Sequence, residues 1–406
     1  MTRRSFVTTS VALSAAGRLK ANRVIGANDR IGIGVIGCGR RNLLRRTLEF
    51  AGETNVEVRA VCDIWRQQRE KAAAAVIAAG GPEPKQVDLY RELLASPDID
   101  AVLIGTPDHQ HCTQLIDAVE AGKDAYVEKP LAMDMKELNR AVDAVNKSGC
   151  VVQMGTQVRS YASAKGARDF VQSGGLGKVF KIEQSRNGYR PYWHRYGERS
   201  IAESDTNWRE FLMHRKYRPW DADQYAAWFG YREFSRGPHS NLMVHFIDLV
   251  HYITGAPAPA RVMTMGGTYR WKDDRTAPDS VETVLEYPEQ GFLVRYCTMY
   301  GIPDNNYLKF FGTRGVMDGS RWSEPFLISG EKSQEDDRIL PDAFIPEGDS
   351  TPHMLDWLQC LRTRKTPNAP IQAGYDHSVA VIMSDESLIR GRRMLHDPKA
   401  RKIRPG

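Results

Sequence analysis

The chain carries no C-x-x-C pair: its six cysteines, Cys38, Cys62, Cys112, Cys150, Cys297 and Cys360, are scattered through 406 residues. Several lie in apolar, strand-like runs where cysteine behaves as a small hydrophobe, so neither a disulfide framework nor a zinc site is expected. Internal repeats, low-complexity blocks and apolar runs long enough to span a membrane are also missing. Basic residues form no stripe: the formal net charge is only +6, and the one basic run, the C-terminal "RGRRMLHDPKARKIRPG", reads as a solvated tail. Nucleic acid is therefore not an expected partner. What is present is ordinary globular composition, 41% hydrophobic and 26% charged, and length enough for two domains with separate cores.

The N-terminal "MTRRSFVTTSVALSAAG" places Arg3 and Arg4 before Phe6 and a mildly apolar run, the outline of a twin-arginine export signal. Residues 1–29 are read as that signal and a linker, and a periplasmic or exported location follows as an expectation. A clear small-x-small cleavage site is missing, so no processing point is assigned.

From Arg30 onward, short β-rich runs ("IGIGVIG", "VEVRAVCD", "DAVLIGT", "DAYVE", "VVQMGT") alternate with Ala- and Leu-rich helical stretches. That alternation predicts a doubly wound parallel sheet over residues 30–153. The literal G-x-G-x-x-G match, Gly32 to Gly37, falls inside the first strand, where no phosphate reaches it. At the strand's end "GCGRRN" offers Gly37 and Gly39 for a tight turn and close approach of a pyrophosphate, with Asn42 where a third glycine would stand and Arg40 beside the turn. The second strand ends in Asp63, about 25 residues further on, placed to accept hydrogen bonds from the adenosine ribose and to repel a 2′-phosphate. NAD is thus favoured over NADP, although Arg40, Arg66 and Arg69 lie near. The loop "GTPDHQH" after the fourth strand supplies Thr106, Pro107, His109 and His111 as cofactor contacts or helix caps; no acidic cluster accompanies the two histidines, so no metal site is expected.

In "DAYVEKPLAM", Pro130 disfavours helix for Lys129 and leaves it extended where the fifth strand ends. Taken in order, "GVIGCGRRN", "VCD", "GTPDHQH", "GKDAYVEKPLA", "VQMGTQVRS", "LMVHFIDLVHY" and "WLQCLRTRKTPNAP" resemble the glucose-fructose oxidoreductase / inositol dehydrogenase (Gfo/Idh/MocA) family over almost the whole chain after the signal. The resemblance implies an α/β protein with an N-terminal Rossmann domain. It also implies a C-terminal α/β domain, residues 154–406, on an open, mostly antiparallel sheet that binds substrate and packs in homodimers or homotetramers. Family members mostly oxidise or reduce a hydroxyl of a sugar or cyclitol, and a smaller set cleaves glycosides while NAD is oxidised and regenerated within one turnover. In the family's Glu-Lys-Pro motif the lysine points into the site and assists proton transfer; that role carries to Lys129, with Glu128 orienting it. Independently, "SVETVLEYPEQGFLVRYCTMYG" and "YLKFFGTRGVMDG" read as hairpins, which predicts an antiparallel sheet.

"SNLMVHFIDLVHYITG" is a helical pattern with two stripes at the same spacing: apolar Leu242, Phe246, Leu249 and Ile253, and polar Asn241, His245, Asp248 and Tyr252. By itself the polar stripe reads as a solvent face. The family places an aspartate, a histidine and a second aspartate at these spacings beside the substrate; His245 then matches the catalytic histidine, Asp248 the second aspartate, and Asn241 departs from the first. An asparagine orients a hydroxyl but takes no proton. His245 is the expected base for the hydroxyl proton as hydride leaves the same carbon, and Lys129, desolvated, the group that holds or relays that proton.

Gln157 and Arg159 follow the last Rossmann strand and are read as cofactor and substrate contacts. The stretch from Tyr189 to Phe234 is crowded with aromatics; Tyr189 and Trp193, with His239, are candidate substrate contacts, with core or subunit packing as the alternative. Export sharpens the function, because a folded protein carried outside the cytoplasm meets no nicotinamide pool and its NAD must stay bound and be restored in place. Three readings follow: a sugar or glycoside oxidoreductase with tightly held NAD; an NAD-dependent glycoside hydrolase or lyase working through transient C3 oxidation and elimination; and, because of Asn42 and Asn241, a cofactor-binding protein without turnover.

Overall fold

The computed structural model describes residues 29–191 and 201–406. The first strand, β1 (Ile31–Ile36), has all six residues buried, as a strand covered on both faces requires. It leads into α1 (Leu43–Thr54), β2 (Val56–Cys62), α2 (Arg66–Ala78), β3 (Lys85–Val87), α3 (Tyr90–Ala95) and β4 (Ala101–Ile104). Then follow α4 (His111–Glu120), β5 (Asp124–Val127), α5 (Met135–Ser148) and β6 (Val152–Met154). These strands pair in the order β3-β2-β1-β4-β5-β6, all parallel, which is the arrangement of dinucleotide-binding sheets. Its switch point lies between β1 and β4.

Glycines explain the false motif. A Cβ on Gly32 would lie 1.9 Å from the Asp98 carbonyl oxygen and one on Gly34 2.5 Å from Leu93, so both are packing glycines inside the strand. Gly37 adopts φ +86° with Gly105 backbone pressed against it, whereas Gly39 faces open space. Asn42 begins α1 at φ 54°, the left-handed region that asparagine tolerates, so the turn closes without a third glycine.

The second half starts with α6 (Ala162–Gln172) and β7 (Val179–Ser185), passes short helices α7 (Trp208–Leu212) and α8 (Ala222–Ala226), and reaches α9 (Val244–Thr254). Strands β8 (Arg261–Gly267), β9 (Ser280–Tyr287), β10 (Phe292–Met299), β11 (Tyr307–Gly312), β12 (Gly315–Asp318), β13 (Leu327–Ser329) and β14 (Ala343–Phe344) follow. Helices α10 (His353–Thr363) and α11 (Ile371–Arg390) precede the closing pair β15 (Met394–Asp397) and β16 (Lys402–Pro405). The result is a ten-stranded sheet, β14-β13-β12-β11-β7-β10-β9-β8-β15-β16. Only β7 and β10 run parallel; both predicted hairpins, β9–β10 and β11–β12, are in place.

The two sheets share one continuous apolar core. It runs from Val127, Leu131 and Met154 through Phe246, Ile247 and Leu249 of α9 to Val294 and Tyr296 of β10. On the opposite face of the parallel sheet, Trp357, Leu358 and Leu361 of α10 pack with Ile33, Val35 and Tyr126. A helix from the C-terminal half thereby covers the N-terminal sheet, and α9 is pinned against the strand ends that carry Lys129.

Candidate active site

A cavity of about 410 Å³ lies along the carboxyl ends of the parallel strands. Gly37, Gly39, Arg40, Asp63, Thr106, Pro107, His111, Glu128, Lys129 and Asn241 line it, a set drawn from four strand ends and the approach to α9. Its size suits a small organic ligand.

At one end, the Asp63 carboxylate accepts the backbone N–H groups of Cys38 (2.8 Å) and Trp65 (2.9 Å). Each oxygen keeps a lone pair for a further donor, as two ribose hydroxyls would be. Burial raises this carboxyl's pKa, and the two N–H bonds and Arg69 oppose the shift. Arg69 is bound to the Asp63 carbonyl oxygen (2.5 Å) and Arg66 to Asp205 (2.5 Å). In the middle, the open side of Gly39 lets a pyrophosphate approach the backbone. These features fit a dinucleotide.

At the other end stands Lys129, 7% exposed. Its Nζ donates to the carbonyl oxygens of Ser240 (3.1 Å) and Asn241 (3.2 Å). Both carbonyls belong to a π-helical turn, His239–Met243, that opens α9; such turns leave carbonyls unclaimed by the regular ladder. Two of the nitrogen's three hydrogen positions are thereby taken. The third, a hydrogen when protonated and a lone pair when neutral, remains for the cavity. Burial, then the nearby Arg41 charge, brings its pKa down to about 8 against the pull of Asp108 and Glu128.

His245 lies one turn beyond Asn241, half-buried and not itself among the residues that line the cavity. Its Nδ1 has no hydrogen-bond partner. Burial, with the charges of Lys129 and Arg41, holds it well below its ordinary pKa, so it is a neutral imidazole at physiological pH. The Asn241 amide donates to Ser235 Oγ (3.1 Å) and the Gly237 carbonyl (2.9 Å), which leaves its own oxygen to accept from a ligand. That pattern accounts for asparagine: an aspartate would set a carboxylate oxygen against the Gly237 carbonyl.

Other expected contacts are placed elsewhere. Arg159 and Asp248 bind each other in a buried, bidentate pair (Nε to Oδ2 2.9 Å, Nη2 to Oδ1 2.6 Å), with His377 Nδ1 3.3 Å from the same carboxylate, and neither lines the cavity. Burial would raise the Asp248 pKa, but Arg159 and His377 outweigh it and hold the carboxyl below its usual range. His109 turns into the core, its Nε2 2.7 Å from the Phe211 carbonyl oxygen and its ring between Phe211 and Phe234. Gln157, in the turn after β6, has a buried, unpartnered Oε1 and lies off the cavity wall. His239 is fully buried 3.3 Å from Thr283. Tyr189 stands 59% exposed at a second, adjoining cavity, and Trp193 lies outside the described residues. No group of three or more His, Cys, Asp and Glu side chains suited to a metal occurs among the described residues.

Sequence reasoning passed over several wall residues. Arg41 reaches from the glycine turn to Glu128 (2.7 Å), bridging from the end of β1 to the end of β5. Asp108, buried inside the "TPDHQH" loop, accepts from Ser235 Oγ (2.7 Å) and lies within electrostatic reach of Lys129. Its place between Pro107 and His109 was the available signal. Of the aromatic stretch, Phe211, Tyr225, Trp228 and Phe229 line the cavity, while Trp208 and Phe234 join Phe211 in an adjoining core cluster against which Trp220, Tyr225 and Trp228 pack.

A parallel dinucleotide sheet with a lysine-bearing cavity at its strand ends, joined to a mostly antiparallel second sheet, defines the class, a two-domain NAD-binding oxidoreductase fold. The chain belongs to the Gfo/Idh/MocA oxidoreductase family: residues 31–156 match its NAD-binding Rossmann fold and residues 168–388 its C-terminal α/β domain. A relative named glycosyl hydrolase family 109 protein, from Shewanella putrefaciens, is 29% identical over 185 residues, 41% of this chain and 40% of its own length. The chain thus aligns with less than half of that relative. Among solved structures, a levoglucosan dehydrogenase in complex with NADH and levoglucosan superposes with TM-score 0.69 at 17% identity, covering 90% of this chain and 99% of the other. An aldose-aldose oxidoreductase from Caulobacter crescentus complexed with glycerol gives TM-score 0.65 at 18% identity, covering 90% and 99%.

Proposed function

We propose that the chain is an NAD-dependent oxidoreductase acting on a hydroxyl of a sugar or glycoside, with NAD held tightly and recycled in place. The observation that carries this reading is Lys129: a buried lysine with two hydrogens committed to carbonyls, one position left for the cavity, and a pKa of about 8. NAD is favoured over NADP because a carboxylate, Asp63, occupies the ribose end, with Arg66 bound to Asp205 and Arg69 committed to the Asp63 carbonyl oxygen. Gly37, Gly39, Asp63, Thr106 and Glu128 would hold the dinucleotide, which when bound supplies the hydride acceptor or donor. Neutral Lys129 accepts the proton of a substrate hydroxyl, Asn241 fixes that hydroxyl through its amide oxygen, and neutral His245 one turn further along takes or returns the proton.

Levoglucosan and aldoses are named for the structural neighbours, and a carbohydrate is the substrate proposed here. The glycosyl hydrolase relatives favour a second reading: a ketone at C3 acidifies the C2 proton, the C1 substituent leaves by elimination, and the ketone is then reduced again. Twin-arginine export, carried by residues outside the described ones, belongs to the proposal and explains why NAD would stay bound. So does homo-oligomerisation: Met263, Met265, Val284 and Leu293 leave the ten-stranded sheet an exposed apolar face.

Denaturing the purified protein and assaying released NAD tests the bound cofactor; its absence removes that part. Incubation with a glycoside panel without added NAD separates the readings. A keto-sugar with reduced cofactor supports the oxidoreductase, aglycone release with solvent deuterium at C2 supports the glycosidase, and no reaction across the panel leaves a cofactor-binding protein.

A further inference from the structure

A second cavity, of about 600 Å³, adjoins the first through Leu242, which lines both. Leu242 directly follows Asn241, the residue proposed to fix the reacting hydroxyl. A ring held at Lys129 would therefore present its far substituents to this second space. Its wall is formed chiefly by the segment after β7: Arg186, Asn187, Tyr189 and Arg190, with Tyr300 and Asn306 opposite.

The segment is built, not loose. Asn187 donates through Nδ2 to Ser185 Oγ (3.0 Å) and the Asp304 carbonyl (2.7 Å), and its Oδ1 accepts from the Met299 N–H (2.9 Å). Asn306 returns the contact, accepting the Asn187 N–H (2.5 Å) and donating to its carbonyl (3.2 Å). Gly188 is paired to β10 on both sides, donating to Met299 and accepting from Gly301. The polar needs of Asn187 and Gly188 are thus met by their own neighbours, and Arg186, whose N–H donates to the Cys297 carbonyl (2.9 Å), is carried on a fixed frame with Tyr189 and Arg190 following it.

Neither arginine has a side-chain partner among the described residues, and no carboxylate lines this wall. Asp304, the acidic residue nearest in the network, turns its side chain back to the Asn305 N–H (2.7 Å). Both arginines are exposed and meet no carboxylate among the described residues, whereas the more buried Arg159, Arg232 and Arg236 each meet one. Between them stands Tyr189, 59% exposed, set edge-on to Trp271 at 5.9 Å, with the Arg270 guanidinium over both rings. An exposed ring fixed in this way offers a flat apolar face suited to a sugar ring, and a guanidinium fork matches a planar or tetrahedral oxyanion.

We infer that the second cavity is a subsite for an anionic sugar unit or substituent, a carboxylate or sulfate ester carried on the substrate, bound by Arg186 and Arg190 with its ring on Tyr189. The inference rests on the sugar-oxidoreductase reading for the orientation of the ligand. It narrows the substrate class to acidic carbohydrates. It also assigns Arg186 and Arg190 a role in choosing the substrate rather than in the proton transfer.

The test is direct binding, read by calorimetry on the protein as purified, to a matched series: a neutral aryl glucoside, its glucuronide and its 6-sulfate. The charged members should bind at least about tenfold more tightly than the neutral one at low salt, with the advantage shrinking as salt is added. In an Arg186→Gln, Arg190→Gln double variant the ratio should fall towards one, while thermal unfolding stays where it was. Preference for the glucuronide names a carboxylate, preference for the sulfate names a sulfate ester. Equal affinities across the series, or no binding of any member, overturns the subsite, as does a ratio unchanged in the double variant. Because turnover is not the readout, tight binding of acidic glycosides without oxidation would overturn the oxidoreductase reading and leave the subsite standing.

Discussion

Asn241 and His245 stand on the same polar stripe of one helix as Asp248 and Tyr252, yet the two halves meet opposite surroundings. The upper half is open: Asn241 lines the cavity, and His245 Nδ1 has no partner. The lower half is closed: Asp248 is locked by Arg159 and His377, and Tyr252 accepts from Arg168 (2.8 Å) with the Arg159 guanidinium over its ring at 4.9 Å. Unfinished hydrogen bonding marks the part of the helix that meets a ligand, and finished bonding marks the part that holds the helix in place. Arg159 and Asp248 thus position the site from beneath.

The comparison predicts different penalties for the two halves. The largest falls below: Asp248→Ala leaves the Arg159 guanidinium buried without its carboxylate, and should lower stability by about 3–5 kcal/mol in denaturant unfolding. A loss under about 1 kcal/mol would mean that the pair is not structural. Above, Lys129→Met should reduce turnover at least about a hundredfold with dinucleotide still bound, and His245→Ala similarly. Lys129→Met should not destabilise as Asp248→Ala does, because the fold disfavours this ammonium: its folded pKa lies below the unfolded value, so the penalty is present below about pH 8 and fades as pH rises toward the unfolded pKa.

Titration separates the halves next. The rate of hydroxyl oxidation should rise through about pH 8 as Lys129 loses its proton, and Arg41→Ala should move that midpoint upward, since Arg41's charge helps depress it. An unmoved midpoint would take Arg41 out of the argument. The Asp248 carboxyl runs the other way: its pKa is depressed on folding, so its contribution is present above the ordinary aspartate value and is lost as pH falls through the folded one. Acid unfolding of the parent should therefore come at lower pH than that of Asp248→Asn. The smallest effect is expected at the open end of the stripe. Asn241→Asp removes two amide donors from Ser235 and Gly237 and should cost about 1–3 kcal/mol of stability, measured by thermal unfolding.

Much of this molecule was legible along the chain. Five of the six parallel strands, all but the short β3, the glycine turn at Gly37, the carboxylate of Asp63, the lysine before Pro130 and both hairpins follow from short-range patterns, because strand period, turn chemistry and proline act over a few residues. Asp108 and Arg41 were missed, since nothing local distinguishes a buried aspartate or a bridging arginine from their exposed kind. His109 illustrates the reverse: it sits in the right motif and faces the wrong way, drawn between Phe211 and Phe234 from a segment about a hundred residues later.

The sequence by itself determined that α9 has a polar stripe and that Lys129 ends a strand. Only the tertiary structure decided which members of the stripe are chemistry and which are scaffold. The physical reason is desolvation: a charge taken from water must find its counter-charge, and the partner of Asp248 comes from 89 residues away. Lys129 Nζ meets two backbone carbonyls, across 111 and 112 residues, and among the described residues no carboxylate pairs with it, so it keeps a proton it can give up.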